Sequence, residues 1–293
     1  MLIEQLINGL TLDSIYVLVA TGYTIVFGLL DIINMAHGEI FMLGSFMGML
    51  IITKYNAPLW LAFLVAILST SMMGYILELT ALRPLRRKKN MPALAPLIST
   101  IGFSICLQNI LHHIFGAGNE PFITHFGNLE FNIGTVNIYL VQIIILVISV
   151  LIIAGLTIWL AKSKIGKALR CTAENPEMAE LMGINTAKII NLTIIMASAM
   201  GGIAGVLIGM SFNFINVHMG ASMGLKGLAI IILGGMGNIY GTMVGGLLIG
   251  MSETLFSVYI DSNYRDSIAF IVIILVLIFK PQGLFRGGLS KSR

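Results

Sequence analysis

Residues 162–188 read KSKIGKALRCTAENPEMAELMGINTAK, a polar and basic stretch between two long apolar runs. Each flanking run is long enough to cross the hydrocarbon of a bilayer, which takes about 20 residues. Asn175-Pro176 predicts the start of a short helix over 173–181, since Pro is tolerated in the first turn. Gly183 predicts its end, because Gly is common just past a helix. We therefore expect a short helix outside the membrane, set between membrane-crossing segments.

The composition indicates an all-α polytopic membrane protein. Of its 293 residues, 57% are hydrophobic and 10% are charged, against about 25% charged residues in soluble domains. Apolar runs of membrane length recur along the chain. We expect residues 1–293 to form one transmembrane domain, with 162–188 as its cytoplasmic loop.

The positions of Lys and Arg predict the topology. They cluster at 83–89, 162–188 and 280–293, and the loop 116–137 has none. Under the positive-inside rule the clusters and the carboxyl terminus are cytoplasmic and the loop is external, so a nucleic-acid role is unnecessary. The candidate membrane segments are 8–30, 40–53, 59–80, 92–115, 138–161, 189–215, 221–236, 239–260 and 266–280. If 40–53 crosses, there are nine helices and an external amino terminus. If it is re-entrant, there are eight and the terminus is internal.

Two polar, Gly-rich breaks, 31–39 and 234–241, interrupt apolar segments, one in each half of the chain. Paired interrupted helices point to a substrate path in transporters, although ordinary tight turns explain both breaks equally well. Asn34, His37 and Asn238 are therefore candidate path residues.

Charged residues inside apolar segments are a second signal. They are Asp13, Glu39, Glu78, Lys226 and Glu253. Each costs roughly 2.5–3.5 kcal/mol at a helix centre and is a functional hypothesis by default. Glu78 lies near a basic cluster, and Asp13 and Lys226 are expected near external helix ends. Glu39 and Glu253 remain as path candidates, with a hydrogen bond between helices as the alternative role.

Glycines at four-residue spacing predict close helix packing. One ladder is Gly201, Gly205 and Gly209, and the other is Gly237, Gly241 and Gly245. Residues four apart share a helix face, and Gly allows backbones to approach closely in lipid. The seams are either internal or shared with a second membrane subunit.

No enzymatic motif accompanies these features. The chain has no GxxxxGK[ST] phosphate loop and no Ser/His/Asp arrangement, so any ATP would be hydrolysed by a separate chain. His37-x-Glu39 and His112-His113 match no strong metal motif. We expect no catalytic residue, metal or bound cofactor.

The helix predicted over 173–181 is also a candidate docking element. Its acidic side consists of Glu174, Glu177 and Glu180, and its apolar edge consists of Ala179, Leu181 and Met182. Such a helix can fit a groove on a partner or lie against the membrane.

The stretch Gly166–Asn185 resembles the cytoplasmic loop of LivH-type permeases, the membrane subunits of branched-chain amino-acid ABC importers. Further blocks that resemble this family are 8–16, 22–28, 33–39, 42–44, 233–241, 245–253 and 281–285. The helix also resembles the Ala- and Glu-containing coupling motif of ABC importers. The resemblance implies that Ala173, Glu174, Ala179 and Gly183 face an ATPase, with Glu177 on the same acidic side.

The resemblance also implies partners and a location. These are a second permease subunit, two ATP-binding subunits, an external solute-binding protein and the lipid bilayer of the bacterial cytoplasmic membrane. An importer of urea or short amides is an alternative within the family. An ion-coupled secondary transporter that uses Glu39 and Glu253 is an alternative outside it, as is a membrane enzyme that uses His37 and Glu39.

Overall fold

The computed structural model describes residues 2–86, 92, 94–124, 130–133, 136–259, 265–280 and 283–285. Most of the first and third basic clusters, 87–89 and 286–293, therefore lie outside the described residues, as do residues 281–282 of the carboxyl-terminal block. The helices are α1 (Leu2–Leu30), α2 (His37–Met49), α3 (Leu59–Leu77), α4 (Arg83–Arg86), α5 (Ala95–Phe115), α6 (Leu140–Lys162), α7 (Lys164–Glu174), α8 (Pro176–Leu181), α9 (Thr186–Phe212), α10 (Met219–Gly234), α11 (Ile239–Tyr259) and α12 (Arg265–Phe279). A π-helical turn extends α2 over Leu50–Lys54, and another joins α3 to α4 over Glu78–Leu82.

Within the described part of the chain, four short strands form two antiparallel pairs. They are β1 (Glu120–Pro121) with β4 (Phe214–Ile215), and β2 (Glu130–Ile133) with β3 (Val136–Tyr139). Six helical stretches of the described residues are long and apolar enough to cross a membrane: Glu4–Leu30, Leu59–Arg86, Ala95–Phe115, Leu140–Lys162, Thr186–Phe212 and Ile239–Tyr259. The prediction of an all-α polytopic membrane protein is confirmed.

The bundle has two ends, which we call the loop end, at the 116–139 connection, and the segment end, at residues 162–188. At the loop end, the backbone N–H of Asn137 donates to Glu4 Oε1 at 3.2 Å, so the amino end of α1 lies beside the 116–139 connection. At the segment end, Gly28 near the carboxyl end of α1 shares a cavity with Gly166 and Arg170 of α7. The helix α1 therefore runs the full length of the bundle.

The two central helices are α1 and α9. Most residues in the apolar stretch of each are buried inside the chain, whereas fewer than a third of those in α3, α5 and α6 are. The exposed side of α3 is apolar, with Trp60, Leu68 and Met72 each more than half exposed. Such a surface suits lipid tails, which are as apolar as the side chains themselves.

The first glycine ladder forms an internal seam between α9 and α2. A Cβ at Gly205 would meet Ser45 N at 2.7 Å, and one at Gly201 would lie 3.4 Å from His37 Cε1. Gly209 faces the ring of Phe122. Of the two predicted alternatives, packing within the chain is therefore the one observed for this ladder.

In the second predicted ladder, only Gly241 and Gly245 lie on a helix and pack closely. A Cβ at Gly245 would lie 2.8 Å from Ile230 O on α10, and Gly241 faces the backbone of Gly234. Gly237, however, lies before α11 begins and has φ +84°. Its place in a helical ladder was wrong, because the chain turns there and needs a left-handed conformation that Gly adopts without strain.

The short helices α2 and α10 both begin inside the bundle. The ring of His37, the first residue of α2, lies 4.5 Å from that of Tyr23, which precedes the end of α1 by about two turns, roughly 10 Å. At the start of α10, Met219 Sδ lies 3.5 Å from Ser45 Oγ, and Gly224 faces Gly38 across the contact.

Both entry segments are short and non-helical, and in both an Asn side chain binds the backbone N–H two residues further on. Asn34 Oδ1 accepts from Ala36 N at 3.1 Å before α2, and Asn216 Oδ1 accepts from His218 N at 3.0 Å before α10. Such bonds satisfy backbone groups that hydrocarbon could not. The predicted break at 31–39 is thus present. Its counterpart is 213–218, because 234–241 is the turn between α10 and α11.

Candidate functional site

The 162–188 stretch folds into two short helices. Ser163 Oγ accepts from Gly166 N at 2.9 Å to cap α7, and Asn175 Oδ1 accepts from Met178 N at 3.0 Å to cap α8. A helix over 173–181 was predicted, but the chain breaks at Asn175, where φ is −152°. The same Asn-Pro pair explains the break, since Asn favours a cap and Pro the first turn that follows.

The end of α8 at Gly183 is as predicted. Gly183 has φ +82°, its N–H donates to Glu180 O at 2.9 Å, and the N–H of Ile184 donates to Ala179 O at 3.0 Å. These two bonds form a Schellman motif, which satisfies the last carbonyls of a helix. Thr186 Oγ1 also donates to the Glu180 carboxylate and ties α8 to the start of α9.

The outward face of this segment is apolar and acidic. Met178, Leu181 and Met182 are 60%, 81% and 83% exposed, and Glu174 and Glu177 are exposed beside them. We call these five residues the docking surface. Large apolar side chains beside charges in this arrangement are typical of a protein interaction site.

Two of the coupling candidates do not lie on this face. Ala179 is buried within the chain, at 3% exposure, and Ala173 is half-buried. Met178 takes the outward apolar position that the sequence pattern suggested for Ala179. The helix has less than two turns, so a shift of one residue is enough to turn a side chain from the outer to the inner side.

Helix α7 is fixed to the end of α6. The Arg170 guanidinium donates to Leu160 O at 2.6 Å and to Ala161 O at 3.4 Å. A cation at the last carbonyls of a helix is favourable, because those carbonyls carry partial negative charge. Gly166 also contacts the backbone of Leu160. The docking surface is therefore attached to the helix bundle through α7.

A buried ion pair lies within the helix bundle. Lys226 Nζ on α10 lies 3.0 Å from Glu253 Oε1 and 3.1 Å from Oε2 on α11. The hydroxyl of Tyr16 on α1 donates to Glu253 Oε2 at 2.8 Å and lies 3.2 Å from Lys226 Nζ. All three side chains are at most 3% exposed. Removing one charge from such a pair is costly, because the other is left unpaired.

Asp13 lies one turn from Tyr16 on α1 and is fully buried. It contacts Gly250 on α11, one turn before Glu253. Neither of its carboxyl oxygens has a hydrogen-bond partner among the described residues. Asp13 and Lys226, which were predicted to lie near external helix ends, are both buried within the bundle.

A second polar group lies where α2 begins. Asn34, His37 and Glu39 are each at most 3% exposed. Glu39 lies 3.5 Å from Ser104 Oγ and contacts Gly220 of α10. Asn34 stabilises the entry to α2 through its side chain, so its role within the fold is structural.

The remaining candidates lie apart from this group. Asn238 is in the α10–α11 turn at the segment end, where its Oδ1 accepts from Gly241 N at 3.2 Å. Glu78 pairs with Arg86, as its position beside a basic cluster suggested. Among the described residues, no three His, Cys, Asp or Glu side chains come together to hold a metal ion.

Tyr16 and the pairing of Lys226 with Glu253 were not predicted from the sequence. Tyr16 is a neutral aromatic in an apolar helix, so no sequence signal marks it. Lys226 was recognised as charged, but its partner was not. The usable signal was that opposite charges on neighbouring membrane helices tend to pair.

The membrane-length helices, the buried intramembrane charges and the exposed docking surface together define a polytopic membrane transport protein of the permease class. Residues 5–277 match the family described as the permease component of branched-chain amino acid transport systems. The chain belongs to this family.

Individual relatives agree with this assignment. The chain is 40% identical to the high-affinity branched-chain amino acid transport system permease protein BraD of Pseudomonas aeruginosa, over 96% of this chain and 95% of that protein. It is 38% identical to the corresponding permease protein LivH of Escherichia coli K12, over 96% and 94%. It is also 24% identical to the permease protein LivM of Salmonella typhimurium, over 94% and 68%. No solved structure matches the chain.

Proposed function

We propose that this protein is the membrane-spanning subunit of an importer that moves branched-chain amino acids across the bacterial cytoplasmic membrane, driven by ATP hydrolysis in separate subunits. The observation that carries this proposal is the docking surface, an exposed apolar and acidic face on a chain of this permease family. The chain itself is neither an enzyme nor a cofactor carrier.

The partners in this proposal are two ATPase subunits, a second permease subunit and an external solute-binding protein. The similarity to both BraD and LivM, which are permease proteins of branched-chain systems, supports pairing with a second related permease. ATP binding would close the two ATPases on each other, move the docking surface and turn the transport cavity outward. The binding protein would then release its solute into that cavity.

We further propose nine membrane crossings and an external amino terminus, within a single domain of residues 1–293. Helix α2 with its π-helical turn covers 37–54, roughly 27 Å at 1.5 Å per residue. Its far end lies at the loop end, where Thr53 Oγ1 accepts from Ile123 N at 3.4 Å. If the docking surface is cytoplasmic, α1 starts outside. The crossings are α1, α2, α3 with α4, α5, α6, α9, α10, α11 and α12, and the carboxyl terminus is cytoplasmic.

The transport path in this proposal passes the polar groups of α2 and α11. His37 and Glu39 lie at the contact of α2 with α1 and α10, and Glu253 lies in the buried ion pair. Asn34 holds the entry to α2 in place, and Asn238 lies at the cytoplasmic end. Irregular backbone at the starts of α2 and α10 supports this assignment, because transporters bind substrate at such interrupted helices.

The alternatives have less support. The permeases BraD and LivH, at 40% and 38% identity, are named for branched-chain amino acids rather than for urea or amides. A secondary transporter would work without an ATPase and would need no exposed docking surface.

A reconstitution experiment tests the proposal. The complete transporter in proteoliposomes is expected to import leucine with ATP and solute-binding protein present, and Leu181→Glu is expected to abolish co-purification of the ATPase. Tyr55→Glu is the matched control, because Tyr55 is 73% exposed at the loop end. Uptake of leucine by the purified chain alone, without ATP, would overturn the assignment in favour of a secondary transporter.

A further inference from the structure

A cavity of about 320 Å³ opens beside the start of α10. Its walls are mostly apolar and include Ile208, Phe212, Met219 and Met223. It extends from the 214–218 connection to Lys226, two turns into α10. The volume lies near the lower limit for small-molecule sites, which measure about 300–1,000 Å³, so the cavity suits a small solute.

The only charged side chain among the described lining residues is Lys226. Its ammonium group lies 3.0 Å from Glu253 Oε1 and 3.2 Å from the Tyr16 hydroxyl. These contacts fix the position of the charge. An apolar chamber with one fixed cation is the arrangement that small-molecule sites use for affinity and orientation.

We propose that this cavity is the binding site for an aliphatic α-amino acid on its way through the membrane. The solute carboxylate would lie on the Lys226 ammonium, and its side chain would pack against Met219 and Met223. The inference rests on the proposed transport function and adds to it the residues that recognise the solute.

Charge balance favours a zwitterion over an ion. The Lys226–Glu253 pair is net neutral, and a zwitterionic amino acid leaves it so, whereas an anion or a cation would add a net charge in a low-dielectric site. Ser222 lines the same cavity, and its hydroxyl can accept a hydrogen bond from the solute ammonium. Urea and short amides have no carboxylate for Lys226 to bind.

The two methionines suit a group of related side chains rather than one shape. A Met side chain is unbranched and polarisable, and it adapts to irregular partners. We therefore expect leucine, isoleucine and valine to share the cavity.

Photo-crosslinking tests the site without altering the protein. The probe is a diazirine analogue of leucine, supplied to the complete transporter in proteoliposomes during ATP-driven uptake. Cross-links are expected within 208–226 and should disappear with excess unlabelled leucine. If the analogue is imported but its cross-links fall elsewhere, the site is wrong and the proposed function survives. If neither leucine nor the analogue is imported, the proposed site and the proposed function are both wrong.

Two variants measure the contribution of the cavity. In Lys226→Met/Glu253→Gln neither partner of the ion pair is left behind as a charge, and the KM for leucine uptake is expected to rise about tenfold or more, the effect of one lost charge-assisted hydrogen bond. Met223→Trp fills the cavity and should reduce leucine uptake while the ATPase still assembles. Met72→Trp, on the exposed face of α3, is its control. Unchanged leucine kinetics in assembled complexes of both cavity variants would overturn the proposal.

Discussion

Gly183 shows how a single residue determines the shape of the docking surface. A Cβ built at this position meets no atom within 4 Å, yet φ is +82°. The requirement for Gly is therefore conformational rather than steric. A β-branched residue is strained in the left-handed region, whereas Asn tolerates it.

We expect Gly183→Val to impair ATPase binding and uptake, because α8 loses its Schellman end at a cost of about 1–3 kcal/mol. Membrane insertion should be unaffected, since the residue lies outside the membrane bundle. Gly183→Asn, which keeps the left-handed conformation accessible, is the matched control and should bind the ATPase. Co-purification and uptake are the two measurements. Normal uptake by the Gly183→Val variant would contradict a coupling role for Gly183.

At the scale of elements, the crossing of α2 and α10 is the tightest contact around the polar group of α2. Gly38 contacts the backbone of Gly220, and a Cβ on Gly38 would lie 2.8 Å from Gly224 Cα. Backbone meets backbone there, so no side chain can move aside. The crossing holds Glu39 and His37 in place.

Gly38→Ala is expected to destabilise the protein by about 1–3 kcal/mol, the usual cost of overpacking a close contact. Thermal unfolding in detergent, followed by the loss of monodisperse protein, measures the effect. Gly102→Ala is the control, because Gly102 lies on α5 and a Cβ there would meet no atom within 4 Å. Equal thermal stability of the two variants would contradict the packing role of Gly38.

The elements were predictable to different extents. The long apolar helices were predictable from hydropathy, and the end of α8 was predictable from the Gly at position 183. The start of α10 inside the bundle was not predictable, because residues 213–218 contain no Gly or Pro that would indicate an interruption. The depth of Lys226 depends on that path, so its contact with Glu253 and Tyr16 could not be predicted from position along the chain.

At the scale of the whole molecule, the direction of every crossing follows from the position of α1. The amino end of α1 lies with the 116–139 connection, opposite the docking surface. The charge pattern alone left eight and nine crossings open, because it does not determine whether 40–53 crosses. The contact of Thr53 with Ile123 favours the crossing.

Cysteine labelling of intact cells tests this arrangement. With the native Cys106 and Cys171 replaced by Ser, Glu4→Cys and Tyr55→Cys are expected to react with a membrane-impermeant maleimide from outside. Native Cys171, which is exposed on α7, should react only after permeabilisation when Cys106 alone is replaced. Labelling of Glu4→Cys only in permeabilised cells would instead establish an internal amino terminus and eight crossings.

The contacts of Arg170 have a mechanical consequence. Its guanidinium binds the last carbonyls of α6, and α7 also packs against α1 and α9, so the docking surface is joined to three helices of the bundle. Movement of a partner bound at Leu181 would therefore reach α1 directly through α7 and indirectly through α6. It would arrive in the membrane as a displacement of the helix whose Tyr16 binds the buried ion pair.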